Sequence, residues 1–110
     1  MNLVIFDCDG TLVDSQNAIF AAMQAAFEAE GLASPSRPAV LGVVGLSLPE
    51  AFAVLAAEHA PSVQSRLSDH YKTGFMAART DPARHEPLYP GAEQTIAALA
   101  RRDDIVLGIA

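Results

Sequence analysis

Val4-Ile5-Phe6-Asp7-Cys8-Asp9-Gly10-Thr11-Leu12-Val13-Asp14-Ser15 decides how this chain folds. An apolar run, Leu3-Val4-Ile5-Phe6, stops abruptly at Asp7. It is too short for a helix and rich in β-forming residues, so it reads as a buried strand. Gly10 lets the chain turn sharply where that strand ends. Two carboxylates, Asp7 and Asp9, are thereby delivered to the carboxyl end of a buried strand, the end at which open α/β sheets bind ligands. The spacing suits phosphoryl chemistry. One carboxylate attacks phosphorus and forms an aspartyl-phosphate; a second, two residues on, protonates the leaving oxygen and later activates water. Two such acids attract a hard divalent cation, and Mg²⁺ takes few protein oxygens plus substrate phosphate. Free N–H groups of the turn, at Cys8, Gly10 and Thr11, are then placed to hold phosphate oxygens.

Asp-x-Asp-Gly also opens some Ca²⁺ loops, but an EF-hand needs a preceding helix, Gly at position 12 and Glu at position 18. Here an apolar β-run, Leu12 and Ala18 stand instead. The full stretch Asp7-Cys8-Asp9-Gly10-Thr11-Leu12-Val13-Asp14-Ser15 resembles the first motif of the haloacid dehalogenase-like phosphohydrolases, and most closely their phosphoglycolate phosphatase-like branch. The resemblance implies that Asp7 is the nucleophile, that Asp9 is the general acid and base, and that both hold Mg²⁺, Asp9 through its backbone carbonyl. An Asp at position 9 points to phosphate chemistry, because the dehalogenases of the superfamily lack it.

Composition narrows the remaining choices. The chain has 110 residues, of which 51% are hydrophobic and 18% charged, the balance of a globular domain rather than a disordered one. Its formal net charge is −6 and its pI about 4.8, which excludes a nucleic-acid surface. An acidic protein handling an anionic substrate needs a metal to offset repulsion. Cys8 is the single cysteine, so no internal disulfide forms. Neighbouring negative charge disfavours its thiolate, and it reads as a side chain under the turn. The start, Met1-Asn2, shows neither a basic leader nor a long apolar stretch, so the expectation is a cytoplasmic protein with no membrane partner.

After Ser15 the hydrophobic period changes. Ile19, Phe20, Met23 and Phe27 share a helical stripe, with Asp14 or Ser15 to cap its start and Gly31 at its end. Pro38 suits the first turn of a short helix over Ala39 to Val44. Ser47-Leu48-Pro49-Glu50 forms a capping box, and the helix it opens runs on to Ala60-Pro61. Val63, Leu67, Tyr71, Phe75 and Ala78 define another helix that stops by Thr80-Asp81-Pro82. Residues 16–79 thus form a helical insertion in the position where the branch carries its cap domain, and residues 1–15 and 80–110 form the core. Gly45-Leu46 resembles the cap stretch that helps to select substrate in relatives, the alternative being a plain glycine turn. His85 and Glu86 lie in a polar linker, where a lone His is ordinarily solvated. Leu88 to Ala92 starts a further helix, with Ala92, Ile96 and Leu99 on its apolar side, and Ile105 to Ala110 is a second apolar strand.

A helix between two buried strands implies a parallel βαβ unit. The expected fold is α/β, an incomplete Rossmann-like parallel core with an inserted helical cap. The resemblance covers the whole chain and the first half of the expected protein; the family's second-motif Thr or Ser would fall at position 111. The implied activity is Mg²⁺-dependent hydrolysis of a small phosphorylated metabolite. A sugar-phosphate mutase of the same fold, or a catalytically silent module for a phosphorylated ligand or a protein, fits the same first motif. For these 110 residues alone, an ordered cap, a weak core, self-association through the open strand edge and no turnover are expected.

Overall fold

A computed structural model of the chain describes residues 1–8, 10–81 and 86–110. Asp9 and His85, both singled out in the sequence, lie outside the described residues. The elements run β1 (Asn2–Phe6), α1 (Gln16–Ala29), α2 (Arg37–Gly42), α3 (Leu48–Leu55), α4 (Pro61–Arg79), α5 (Ala92–Ala100) and β2 (Ile105–Ile109). The chain divides into two compact units, Met1–Ser15 with His85–Ala110, and Gln16–Arg84.

In the first unit β1 and β2 pair in parallel, with Asn2 opposite Ile105, Val4 opposite Leu107 and Phe6 opposite Ile109. The ladder extends at both ends, where Asn2 N–H donates to Asp104 O at 2.7 Å and Ala110 N–H to Phe6 O at 2.9 Å. Side chains alternate across the pleat. Val4, Phe6, Ile105 and Leu107 are half-buried, whereas Leu3 (65%), Ile5 (59%) and Val106 (47%) leave the opposite face open. α5 packs against β2. It begins after Gly91, whose φ of +87° an L side chain would resist. Arg101 is its C-cap, and Arg102 forms a two-pronged pair with Asp104 at 3.0 and 2.7 Å.

The second unit holds α1 to α4 around one hydrophobic cluster, Met23, Ala26, Phe27, Val40, Phe52, Ala56 and Leu67. Phe52 and Leu67 are fully buried, and the Phe52 ring meets Phe27 at 6.3 Å and Tyr71 edge-on at 6.4 Å. In this unit the bounds of α2 and α3 differ from the sequence reading. α2 starts at Arg37 because the Ser36 side chain accepts from Ala39 N–H and caps it there, with Pro38 in the first turn. α3 ends at Leu55, short of Pro61, because the Gln64 side chain donates to the carbonyls of Ala56 (2.9 Å) and His59 (3.2 Å) and satisfies the chain leaving the helix. The capping box closes in a variant form: Ser47 Oγ accepts Glu50 N–H and donates to Glu50 Oε1 at 3.0 Å. No helix among the described residues is long and apolar enough to cross a membrane.

α1 and α4 are also joined through Glu30. Its Oε1 accepts from Arg66 Nε at 3.0 Å and faces His70 Nε2 at 3.2 Å. The Arg66 hydrogen bond, above all, holds the Glu30 carboxyl below its ordinary value of 4.5. A carboxyl whose pKa falls on folding stabilises the fold above its unfolded value, and that contribution is lost as pH drops through the folded value. Arg66→Ala is therefore expected to flatten the decline of stability below about pH 4.5. Urea midpoints measured from pH 6 down to pH 3 check this; parallel acid limbs in the variant and the parent would contradict it.

Candidate active site at the end of β1

Asp7 is the first residue beyond β1 and its side chain is exposed. Its Oδ1 accepts the N–H of Cys8 at 3.0 Å, and among the described residues Oδ2 has no hydrogen-bond partner. The turn that follows is wound on one acceptor. Cys8 O receives the N–H groups of Thr11 (3.2 Å), Leu12 (2.9 Å) and Val13 (3.1 Å), and Gly10 N–H donates to Val13 O at 3.0 Å. Gly10 sits at φ +78°, a conformation that a side chain makes costly. Cys8 is half-buried, Thr11 is exposed and Leu12 closes over the core side at 6% exposure.

The winding places the turn's donors on the turn's own acceptors. The N–H groups of Cys8, Gly10 and Thr11, read from the sequence as free donors, are engaged on Asp7 Oδ1, Val13 O and Cys8 O. A tight turn satisfies its own backbone before it meets a ligand. Among the described residues, the exposed Asp7 carboxylate and Thr11 side chain are groups the turn leaves open.

A second strap holds the turn from outside. Val13 forms an antiparallel bridge with Leu88. Asp14 N–H donates to Pro87 O at 2.8 Å and Tyr89 N–H to Leu12 O at 2.9 Å. Ser15, 2% exposed, turns its hydroxyl toward Glu86 Oε2 at 3.5 Å. The sequence reading treated Leu88 as the start of a helix and missed this bridge. No local pattern announces a pairing across more than 70 residues; Pro87 and Pro90 flanking Leu88 were the available hint of extended backbone.

Gly45 and Leu46 lie in the other compact unit, in the turn between α2 and α3. Gly45 has φ +99°, and the turn is closed by Val44 N–H to Leu41 O (3.3 Å) and Leu46 N–H to Val43 O (3.1 Å). Among the described residues no three His, Cys, Asp or Glu side chains gather as a metal cluster.

A parallel strand pair with a carboxylate at its carboxyl end is an α/β arrangement, and comparison with known proteins gives the family. The chain belongs to the haloacid dehalogenase-like hydrolases, whose family model matches residues 4–110. It is 38% identical over 94 residues to a phosphoglycolate phosphatase of Cereibacter sphaeroides, covering 84% of this chain and 43% of the relative. A second phosphoglycolate phosphatase of that species is 35% identical over 102 residues. Among solved structures, a haloacid dehalogenase-like hydrolase of Streptococcus pneumoniae superposes with a TM-score of 0.78 at 24% identity, covering 97% of this chain and 48% of that one. A haloacid dehalogenase-like hydrolase of Bacteroides fragilis gives 0.76 at 22%, with 97% and 49% covered. The chain thus spans less than half the length of the curated relatives it matches. At these identities the structural likeness establishes the fold, an incomplete Rossmann-like parallel core with helices.

Gly10→Ala tests the turn geometry. A Cβ at Gly10 meets nothing within 4 Å, so only backbone strain opposes it. The expected loss is about 1–2 kcal/mol, read from urea unfolding. An unchanged midpoint would show that the left-handed turn is not required.

Proposed function

We propose that this chain is the first-motif portion of a phosphatase that hydrolyses a small phosphate monoester through an aspartyl-phosphate on Asp7. The observation that carries the reading is the exposed Asp7 carboxylate at the carboxyl end of a parallel strand, with Oδ1 held by Cys8 N–H and Oδ2 open. The family and the phosphoglycolate phosphatase relatives support the reaction class.

In this reading Asp7 Oδ2 attacks phosphorus in line, and the ester oxygen leaves with a proton from Asp9. Asp9 then takes a proton from the water that cleaves the aspartyl-phosphate and restores Asp7. The bond from Cys8 N–H fixes the carboxylate so that one lone pair faces the incoming phosphorus. Asp7 and Asp9 are the residues that would hold Mg²⁺, which prefers few protein oxygens with substrate phosphate; Oδ1 of Asp7, which takes a single bond from Cys8 N–H, keeps a lone pair for that set while Oδ2 attacks. When bound, the ion supplies neutralisation of phosphate charge. Thr11, and the N–H group of Gly10 where it exchanges its turn bond, would contact phosphate oxygens, while Cys8 N–H keeps the Asp7 carboxylate in place. Residues 16–79 correspond to the cap in this reading, and Gly45 and Leu46 to the stretch that helps to select substrate. Phosphoglycolate, the substrate named for the relatives, heads the candidates, and a cytoplasmic location suits such a metabolite.

In the full-length enzyme Asp7→Asn is expected to lower kcat by about 10³-fold or more, as for other residues that act as a catalytic unit. Excess EDTA is expected to abolish turnover of the parent, and added Mg²⁺ to restore it. Release of inorganic phosphate at parental rate by the variant would overturn the role of Asp7.

A further inference from the structure

The strap on the acid turn is an antiparallel pair in which Leu12, Val13, Asp14 and Ser15 stand opposite Tyr89, Leu88, Pro87 and Glu86. An unbroken antiparallel pair exchanges two bonds at each closely spaced position. Here both closely spaced positions are half made. Asp14 N–H reaches Pro87 O at 2.8 Å, but Pro87 has no N–H to return. Tyr89 N–H reaches Leu12 O at 2.9 Å, but Leu12 N–H is spent on Cys8 O inside the turn. The strap therefore leans on its side chains. Ser15 and Glu86 form the next facing pair outward from Val13 and Leu88, so their side chains share one side of the strap. Ser15 is 2% exposed and points its hydroxyl at Oε2 of the half-buried Glu86. The contact, at 3.5 Å, is long for a hydrogen bond, and a carboxylate is the stronger kind of acceptor for a hydroxyl.

The path from that pair to Asp7 is short and runs through backbone. Leu12 is bonded on both sides, its C=O outward to Tyr89 and its N–H inward to Cys8 O. Val13, bridged to Leu88, sends its N–H to Cys8 O at 3.1 Å and accepts Gly10 N–H at 3.0 Å. Cys8, held by its carbonyl, aims its own N–H at Asp7 Oδ1. Strap and turn thus share the same peptides, and slack in one is slack in the carboxylate.

We propose that Glu86 is a positioning residue for Asp7: through the Ser15 hydroxyl it closes the outer end of the strap and keeps the carboxylate aimed. All of these residues belong to one compact unit. The bearing of the tie on turnover rests on the phosphatase reading above.

The test uses the full-length enzyme with p-nitrophenyl phosphate. A residue that acts through Asp7, and not on the ester, changes kcat and leaves KM. Glu86→Ala and Ser15→Ala are each expected to lower kcat about tenfold, with KM within about twofold of the parent. Glu86→Gln keeps an oxygen that accepts the hydroxyl, and its kcat is expected to stay within about twofold of the parent. The double variant Ser15→Ala/Glu86→Ala is expected to be no slower than either single one, because both act through one contact. Hydrogen exchange at the Asp14 and Tyr89 amides is expected to quicken about tenfold in Glu86→Ala, while the amides that join β1 to β2 keep parental protection. Parental kcat in Glu86→Ala, an equal loss in Glu86→Gln, a raised KM, or additive losses in the double variant would overturn the inference. So would exchange that stays unchanged at Asp14 and Tyr89, or that quickens at the β1–β2 amides as well. If the parent turns over no ester, the phosphatase reading fails and exchange judges the tie alone. Quickening confined to Asp14 and Tyr89 then supports it, and unchanged or general exchange overturns it.

Discussion

Parallel pairing of β1 with β2 is the constraint on which the molecule depends. Two antiparallel strands can be joined by a two-residue turn; a parallel pair cannot, because the chain must travel back to the starting end before the second strand begins. Everything from Asp7 to Asp104 occupies that return. The pairing also leaves the carboxyl ends of both strands side by side, with Phe6 opposite Ile109 and Ala110 N–H bonded to Phe6 O. Chemistry placed there is held by a ladder whose own bonds are satisfied and whose position is set by side chains far from the reaction.

The turn after β1 converts that fixed end into a presented carboxylate. Three N–H groups converge on Cys8 O, and a left-handed Gly10 permits the reversal. Leu12 faces inward while Asp7 faces solvent. The bridge from Val13 to Leu88 ties the turn to the segment leading into α5. The same residues that enter and leave the long excursion thus brace the acid turn, so the insertion can be elaborated while the turn stays anchored. The excursion folds around its own aromatic centre, Phe27, Phe52 and Tyr71.

Most of this was legible in the chain itself. Leu3 to Phe6 and Ile105 to Ile109 stand out as short β-rich runs because strand residues pack on both neighbours and solvent is excluded from one face. The parallel topology followed from a helix between them. Ser47 announced α3 and Gly31 the end of α1, since capping is local chemistry. What was not legible is non-local. Gln64 ends α3 from a neighbouring helix, and Ser36 caps α2 so that it starts at Arg37, with Pro38 in the first turn as its residue type suggested. The first motif singled out Asp7, but not that the turn would bond the N–H groups of Cys8, Gly10 and Thr11 to its own acceptors. Whether a backbone N–H is free depends on which carbonyl the winding brings near it, and residue type does not encode that.

The central claim is that Asp7 carries the phosphoryl group. Reductive trapping with borohydride during turnover, followed by mass spectrometry of the peptide containing Asp7, tests it most directly. An acyl-phosphate is reduced at its carboxyl carbon, so the account predicts a reduced side chain at position 7 that appears only with substrate and Mg²⁺. An unmodified Asp7 during steady turnover, or reduction at another carboxylate, would contradict it.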